Sequence, residues 1–335
     1  MIGKESCVPS TCVMAVWFGL LPAWFGLWLE SCKANPEVSF LIVTDQEIGN
    51  VPANVHVLSG TLLDVRERLS AVCGVPVQLS RPYKLCDYKP FMGSAFADEL
   101  RGYDYWGFCD IDLVFGNLTS YFRDLNLGKY DKFLPLGHLF IVRNKPEITE
   151  SWRLPLHDEE IWRRIVSTEE NCAFDETFFN EILLEHKFDV CLDHPFADIT
   201  TRQSRFTLGA RTCVRNGHFE YGIRRYENHN QQVFWWRDGH AGRTSLVQGR
   251  AVEDEFMYIH FQKRRFSIEQ VNVVPGENFY FGSKGFFSAK DYNDTQRVIA
   301  TVNPYKYPMD SIEGMLFYIR AIAGKAKQKA QGSLF

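Results

Sequence analysis

The stretch DYWGFCDIDLVFGNLTSYF, residues 104–122, carries two aspartates separated by one residue within an otherwise apolar run. Such a run predicts a buried strand, yet ionised carboxylates are rarely buried without a partner because their desolvation is costly. In an extended strand, residues i and i+2 point to the same side, so Asp110 and Asp112 present their carboxylates together. Neighbouring carboxylates repel each other unless a cation lies between them. The stretch therefore predicts a compensating positive charge beside the pair.

The segments before this stretch alternate between strand and helix patterns. The predicted elements are, in chain order, a strand at 12–18, a helix at 23–33, strands at 38–45 and 55–60, a helix at 61–73, a loop at 80–90 and a helix at 91–103. Strand–helix–strand units of this length are typical of a parallel sheet with helices on its faces. Ligands of such sheets bind at the carboxyl ends of the strands, where Asp110 and Asp112 are expected.

The second half of the chain has a different pattern. Residues 132–144 predict one or two strands, residues 158–187 are expected to be helical, and residues 205–262 have a β pattern. Within that β region, QQVFWWRDGHAGR is typical of a hairpin. The fold class predicted from the residues is α/β, with a mostly parallel sheet followed by a mixed β region.

Composition limits the kinds of partner. The chain has 335 residues, 45% hydrophobic and 23% charged, with a formal net charge of −4, so it carries no global basic field for nucleic acid. Its nine cysteines stand singly, without a C-x-x-C pair, which is typical neither of a disulfide framework nor of a zinc site. This pattern favours a reducing cytoplasm.

Two segments raise the question of a membrane. Residues 12–29 contain no charge, but Gly19, Pro22 and Gly26 interrupt them, so we expect a buried strand, a turn and a helix. The segment MLFYIRAIAGKAKQKAQ, residues 315–331, is apolar first and then basic. It fits a helix lying on the anionic inner face of a plasma membrane, and equally a helix packed on the core with a solvated basic end.

The Asp-x-Asp pair itself suggests a chemistry. Ligation by oxygen atoms suits Mg²⁺ or Mn²⁺, and the phosphates of a diphosphate complete the coordination shell. Enzymes that use sugar nucleotides apply this arrangement to stabilise the charge on the departing nucleoside diphosphate. The alternative interpretation is a pair of solvated turn carboxylates or a helix N-cap.

The run WGFCDIDLVFGNL, preceded by RPYKLCDYKP, resembles a family of bacterial glycosyltransferases with the GT-A fold. It is more distantly similar to the mannosyl and galactosyl transferases that contain a DXD motif. The opening VWFGLLPAWFGLWLESCKANPEVSFLIVTD matches the first strand, helix and second strand of that family. The later pieces GHLFIVRN, FDETFFNEI, FEYGIRRY and YIHFQKR follow in the expected order, so the resemblance covers most of residues 10–265.

The resemblance implies a Rossmann-like GT-A domain over residues 1–300, with a nucleotide-sugar half at 10–120 and an acceptor half at 121–300. Residues 301–335 would form an amphipathic basic tail. The implied activity is a hexosyltransferase that uses a nucleoside-diphosphate sugar, UDP-sugar being favoured, and Mn²⁺ or Mg²⁺. The acceptor would be a glycan or lipid-linked saccharide in the synthesis of lipopolysaccharide, capsule or exopolysaccharide.

The resemblance also implies roles for particular residues. Those expected at the metal are Asp110, Asp112 and His260. Those expected at the nucleotide-sugar are Thr44, Asp45, Lys84, Asp87, Lys89, Asp110 and Lys263. Those expected at the acceptor are His138, beside Gly137, with Tyr221 and Trp236. Those expected in catalysis are Asp175 and Glu176.

Each of these residues also has a plainer interpretation. His260 could be a hydrogen-bonded histidine on a strand face, and the aromatic residues could pack in the core. Asp175 and Glu176 are also favourable at a helix N-terminus without any catalytic role, and a retaining enzyme needs no such base.

Two other functions fit parts of the sequence. The segment DIDLV matches the nucleophile motif of haloacid-dehalogenase-type phosphatases, in which Asp110 would attack phosphorus and Asp112 would act as acid. That motif is normally near the N-terminus, whereas 109 residues precede it here. The third possibility is a carbohydrate-binding protein without turnover.

Overall fold

The computed structural model describes residues 8–201, 203–209 and 228–305, together with positions 312 and 316. The strands of these residues are, in chain order, β1 (Thr11–Trp17), β2 (Val38–Thr44), β3 (Val55–Ser59), β4 (Tyr105–Cys109), β5 (Leu113–Phe115), β6 (Lys132–Phe133), β7 (Leu139–Arg143), β8 (Val190–Cys191), β9 (Ala197–Asp198), β10 (Gln232–Arg237), β11 (His240–Val247), β12 (Arg250–Phe256), β13 (Tyr258–His260), β14 (Val271–Asn272), β15 (Phe279–Gly282) and β16 (Gly285–Ser288). The helices are α1 (Phe25–Lys33), α2 (Leu62–Cys73), α3 (Leu85–Tyr88), α4 (Met92–Ala95), α5 (Leu118–Asp124), α6 (Pro146–Thr149), α7 (Ile161–Val166), α8 (Phe179–Glu185) and α9 (Thr295–Val302). A π-helical turn, Phe174–Phe178, precedes α8.

The main sheet has seven strands in the order β3-β2-β1-β4-β7-β6-β8. Strands β3, β2, β1 and β4 run parallel, and β7 pairs antiparallel with β4. This arrangement confirms the predicted α/β class with a mostly parallel sheet. Its β1 and β2 are apolar along almost their whole length because both faces are covered, as parallel sheets require.

Alternate residues of these strands pack on opposite faces. On one face, Leu41 and Phe108 contact the core formed with α2, α7 and α8. On the other face, Phe40 and Cys109 pack with Trp28 of α1 and the residues of α5. The uncharged run at 12–29 therefore forms β1 and the start of α1, as expected. None of the helices among the described residues is long and apolar enough to cross a membrane.

Three segments differ from the sequence-based expectation. The loop expected at 80–90 instead forms, from Pro82 onward, helical turns that include α3. The helix expected at 91–103 stops at Ala95, because the next residue, Phe96, leaves the helical conformation, with φ −122° and ψ +32°. The helical region expected at 158–187 is interrupted between α7 and the π-helical turn, where Ala173 has a φ of +55°.

The second sheet has the order β12-β11-β10-β15-β16-β14. Its β10–β11 pair is the predicted hairpin, and β14 runs parallel to β16 while the other pairs are antiparallel, so the expected mixed β region is present. One face packs with α1 and the other with α9. Apart from its first five residues and positions 312 and 316, the expected tail at 301–335 lies outside the described residues.

A third, small sheet, β5-β13-β9, joins distant parts of the chain beside the end of β4. In it, His260 pairs with Leu113 of β5 on one side and with Asp198 of β9 on the other. Because Leu113 directly follows Asp112, this pairing brings His260 and Asp198 to the aspartate pair.

Candidate functional site

Asp110 and Asp112 lie in the short connection between β4 and β5. The Asp110 N–H donates to the His138 carbonyl at 2.9 Å, and the Asp112 carbonyl accepts from the Phe261 N–H at 3.1 Å. Their side chains remain 33% and 24% exposed, respectively. The backbone of the pair is thus fixed by two neighbouring segments while both carboxylates stay accessible to a ligand.

Asp112 faces a histidine. The distance from His260 Nε2 to Asp112 Oδ1 is 3.4 Å, and His260 Nδ1 lies 2.8 Å from Asp198 Oδ1. Ligand atoms of Asp110, Asp112 and His260 all lie within 4.8 Å of one another. Two carboxylates and one imidazole at this spacing can hold a divalent cation.

The protein itself balances charge at this cluster. Burial raises the pKa of Asp110 above its usual value, although Lys89 acts in the opposite direction. Burial would also raise the pKa of Asp112, but His260 outweighs it and holds that pKa below the usual range. Burial would lower the pKa of His260, yet Asp112 and Asp198 raise it to about 10. Two cationic side chains of the protein, Lys89 and His260, therefore compensate the carboxylates of this cluster.

Lys89 occupies the other side of the pair. Its Nζ lies 2.8 Å from Asp110 Oδ1 and 3.4 Å from Asp175 Oδ2, and it donates to the Gly137 carbonyl at 2.8 Å. The side chain is only 4% exposed. The ammonium group of Lys89 is therefore bound by groups of the protein. The sequence-based expectation was that it contacts the phosphates or the base of a nucleotide.

Asp175 lies in the π-helical turn, close to the aspartate pair. Burial raises its pKa to about 7, although Lys89 opposes the shift. The segment 134–138 passes so near that a Cβ on Gly137 would lie 2.0 Å from Asp175 Oδ2 and 3.1 Å from Glu176 Cγ. Gly137 is therefore needed for the close approach of the two segments.

Lys84 and Asp87 do not reach the cluster. Both are completely buried and form an ion pair of 2.9 Å with each other. Lys84 also donates to the Glu170 carbonyl at 2.6 Å, and Asp87 accepts from the N–H groups of Cys172 and Phe174. This placement differs from the expected contact with a nucleotide, because their polar atoms are bound to the segment that leads into the π-helical turn.

Three expected nucleotide residues lie at strand ends. Asp45 is exposed after β2 and accepts from the Gly19 N–H at 3.0 Å. Hydrogen bonds from the Gln46 side chain and the Gly19 N–H lower its pKa. Thr44 is buried and accepts from the Gln46 N–H at 3.2 Å. Lys263 is exposed, and its backbone N–H lies 3.3 Å from Asp112 Oδ2.

The residues expected at the acceptor are placed differently from one another. His138 is buried with its ring centroid 4.3 Å from that of His260. Trp236 lies in the core, where its indole N–H donates to the Phe115 carbonyl at 2.9 Å and its ring stacks on Phe279. This placement agrees with the plainer interpretation, packing in the core, rather than with contact to an acceptor sugar. Tyr221 lies outside the described residues.

Asp198 is a member of the cluster that sequence reasoning missed. It stands in the apolar segment PFADI, residues 195–199, and is 6% exposed. A carboxylate within an apolar run is the same signal that singled out Asp110 and Asp112, so this residue could have been found. Its neighbour in space, His260, is 62 residues away along the chain.

Comparisons with known proteins add the following. The solved structures with partial similarity to this chain include three glycosyltransferases. They are the galactosyltransferase LgtC in complex with donor and acceptor sugar analogues (9% identity, TM-score 0.34, covering 57% of this chain and 76% of that chain), mouse xyloside xylosyltransferase 1 in its apo form (10%, 0.38, 58% and 89%) and the glycosyltransferase GlyE of Streptococcus pneumoniae TIGR4 (11%, 0.28, 54% and 44%). Similarity of this extent does not by itself assign an activity.

No curated protein matches the sequence. One family model does match, over residues 13–290, which is most of the chain. The protein therefore belongs to DUF6625, a family of unknown function.

Proposed function

We propose that the protein is a metal-dependent glycosyltransferase that moves a sugar from a nucleoside-diphosphate sugar to a saccharide acceptor. The observation that carries the proposal is the cluster of Asp110, Asp112 and His260 at the carboxyl end of a parallel strand, with ligand atoms within 4.8 Å of one another. Parallel sheets bind their ligands at this end. The resemblance of WGFCDIDLVFGNL and YIHFQKR to GT-A enzymes supports the same activity.

The donor set suits Mn²⁺ or Mg²⁺. Carboxylate oxygens are preferred by both cations, and an imidazole nitrogen is better accepted by Mn²⁺. Both carboxylates are partly exposed, so a diphosphate can complete the coordination shell. When bound, the cation would stabilise the charge on the departing nucleoside diphosphate.

Other residues of the chain would bind the donor and accept the proton of the acceptor. Asp45, exposed at the end of β2, would contact the nucleoside, and Lys263 would neutralise the diphosphate beside Asp112. Asp175, with a pKa of about 7, is suited to accept the proton of an acceptor hydroxyl near neutral pH. The hydroxyl oxygen would then form a bond to the anomeric carbon of the donor. At the same time the bond between that carbon and the phosphate oxygen would break, and the nucleoside diphosphate would leave. Glu176, in the same turn, is the second candidate for this base.

Several finer features are part of the proposal. We favour a UDP-sugar as donor and a glycan or lipid-linked saccharide as acceptor, in the synthesis of bacterial surface polysaccharide. The protein would act in the cytoplasm, at the inner face of the plasma membrane. Residues 301–335 would be the segment that contacts this membrane. His138, next to the cluster, would lie towards the acceptor.

The proposal is tested by calorimetric titration of the protein with UDP and with GDP, each with Mn²⁺ and then with a chelator. We expect binding of one nucleotide that requires Mn²⁺ and is lost in Asp112→Ala. The matched control is Asp131→Asn, since Asp131 is a carboxylate paired with Arg143 at 3.1 Å, near the other end of β4. Absence of binding for either nucleotide would contradict the proposal, and hydrolysis of a generic phosphate ester would then favour the phosphatase.

A further inference from the structure

We propose that Asp198 is the positioning residue that holds His260 in the orientation required for metal binding. This inference rests on the metal site of the proposed function and assigns a role to a residue outside the three metal ligands. Asp198 would not touch the cation or the substrate. It would act through the imidazole ring of His260.

The contacts of Asp198 fix its carboxylate. Its Oδ1 lies 2.8 Å from His260 Nδ1 and accepts a hydrogen bond of 2.9 Å from Gln262 Nε2. Gln262 in turn donates to the Ile199 carbonyl at 3.0 Å, so the amide is held to the backbone of the neighbouring segment. Because β9 and β13 pair with His260 beside Asp198, the position of the carboxylate relative to the ring is set by the sheet.

The consequence concerns the two ring nitrogens. With Nδ1 donating to Asp198, the remaining nitrogen, Nε2, is directed to Asp112 at 3.4 Å. Metal-binding histidines almost always donate their second N–H to a carboxylate, a carbonyl or water, which fixes the tautomer and the ring orientation. His260 has this arrangement, with Nδ1 at Asp198 and Nε2 towards Asp112.

A second contact restrains the ring. The rings of His138 and His260 lie 4.3 Å apart between centroids, with 31° between their planes. Tyr258 and His138 are themselves joined by a hydrogen bond of 3.0 Å between the phenol oxygen and Nδ1. His260 is thus held at one edge by Asp198 and across one face by His138.

The same groups allow a different arrangement, which the test must separate. Ligand atoms of His138, Asp198 and His260 also lie within 4.8 Å of one another. In that case Asp198 would bind a cation directly. A positioning residue and a ligand differ in how much affinity their removal costs and in the number of cations bound.

The experiment measures Mn²⁺ affinity and stoichiometry without nucleotide, from the paramagnetic resonance signal of free Mn²⁺. We expect Asp198→Ala to weaken binding by about 10–100-fold, as for other partners of metal ligands. Asp198→Asn should lie between it and the wild type, since the amide oxygen can keep both hydrogen bonds but carries no charge. Asp131→Asn, which removes a carboxylate remote from the cluster, should bind as the wild type does.

Each outcome of this experiment either supports or overturns the role of Asp198. Wild-type affinity in a folded Asp198→Ala protein would overturn the inference and leave the proposed function intact. A loss as complete as that of Asp112→Ala, or loss of a second bound cation, would show Asp198 to be a ligand and would also overturn it. If the wild type binds no Mn²⁺ without nucleotide, the inference fails, whereas the proposed function is decided separately by the titration with UDP and GDP. If Asp198→Ala cannot be purified folded, Asp198→Asn decides, because unchanged affinity contradicts the inference and weaker affinity supports it.

Discussion

Asp110 and Asp112 stand one residue apart, yet the protein compensates them with different groups. The Asp110 side consists of Asp110, Lys89 and Asp175, and the Asp112 side consists of Asp112, His260 and Asp198. Burial would lower the pKa of Lys89, but Asp110 and Asp175 raise it well above its usual value, so this lysine keeps its charge. An imidazole, in contrast, becomes a ligand when it releases a proton. In the proposed function, a metal would therefore replace the cation of the Asp112 side only.

The largest effect is expected from removal of the lysine. Lys89→Met leaves the buried Asp175 and the partly buried Asp110 without their cation. Loss of one partner of a buried pair costs about 3–5 kcal/mol, and we expect a decrease of that size in the free energy of unfolding in urea.

The control for this substitution is Lys33→Met. Lys33 is 61% exposed and pairs with Glu30 at 3.4 Å in the same helix. Its loss should change stability by less than about 0.5 kcal/mol. Equal effects of the two substitutions would contradict a structural role for the Asp110 side.

The pH dependence of stability should also depend on the Asp110 side, through Asp175. The pKa of Asp175 is about 7 in the folded protein against an ordinary 3.8. A raised carboxyl pKa means that the folded state binds the proton more tightly, so the stability it contributes is present below pH 4 and is lost as pH rises to about 7. As pH rises through this range, we expect the free energy of unfolding of Asp175→Asn to increase relative to that of the wild type, by on the order of a few kcal/mol. A constant difference in melting temperature between pH 4 and pH 8 would contradict this.

Substitution on the Asp112 side should affect Mn²⁺ binding more than stability. His260→Gln removes a ligand but keeps a polar side chain, so we expect Mn²⁺ affinity to fall by at least about 10–100-fold, the loss known for residues one shell further out. The unfolding free energy should fall by less than in Lys89→Met. If Lys89→Met abolished Mn²⁺ binding while remaining folded and His260→Gln did not, the assignment of the two sides would be wrong.

The smallest effect concerns the segment that passes the Asp110 side. Gly137→Ala would place a Cβ 2.0 Å from Asp175 Oδ2, and the forced shift should cost about 1–3 kcal/mol. Gly128→Ala is the matched control, since its Cβ would meet Pro9 Cγ at an ordinary 3.8 Å and should change stability by no more than about 0.5 kcal/mol. Both are measured by urea denaturation.

The sequence predicted those parts of the fold in which a local pattern matches the final environment. The apolar run of residues 38–45 became β2, and the run containing Trp106 became β4, because strands buried on both faces are apolar throughout. The positions of Asp110 and Asp112 at the end of a strand followed from the same pattern. His260 and Asp175 were indicated only by family resemblance.

The rest depended on contacts between distant residues. The two-residue strand β9 carries no periodicity, so the approach of Asp198 to His260 could not be read from its neighbours. The sequence indicates Lys84 and Asp87 as nucleotide contacts, and it does not show that both side chains are buried and paired with each other. The helix expected at 91–103 ends at Ala95, where Phe96 leaves the helical conformation, and the local pattern does not indicate this end.

The small sheet β5-β13-β9 has a consequence for synthesis of the protein on the ribosome. Lys263, whose N–H contacts Asp112, is 151 residues further along the chain. At about 5–20 residues per second, the aspartates leave the ribosome about 7–30 s before the strand that carries His260. During that interval the nascent chain has the two carboxylates without their histidine. In the proposed function, capture of a divalent ion would therefore follow only after almost the whole family domain, residues 13–290, has been translated.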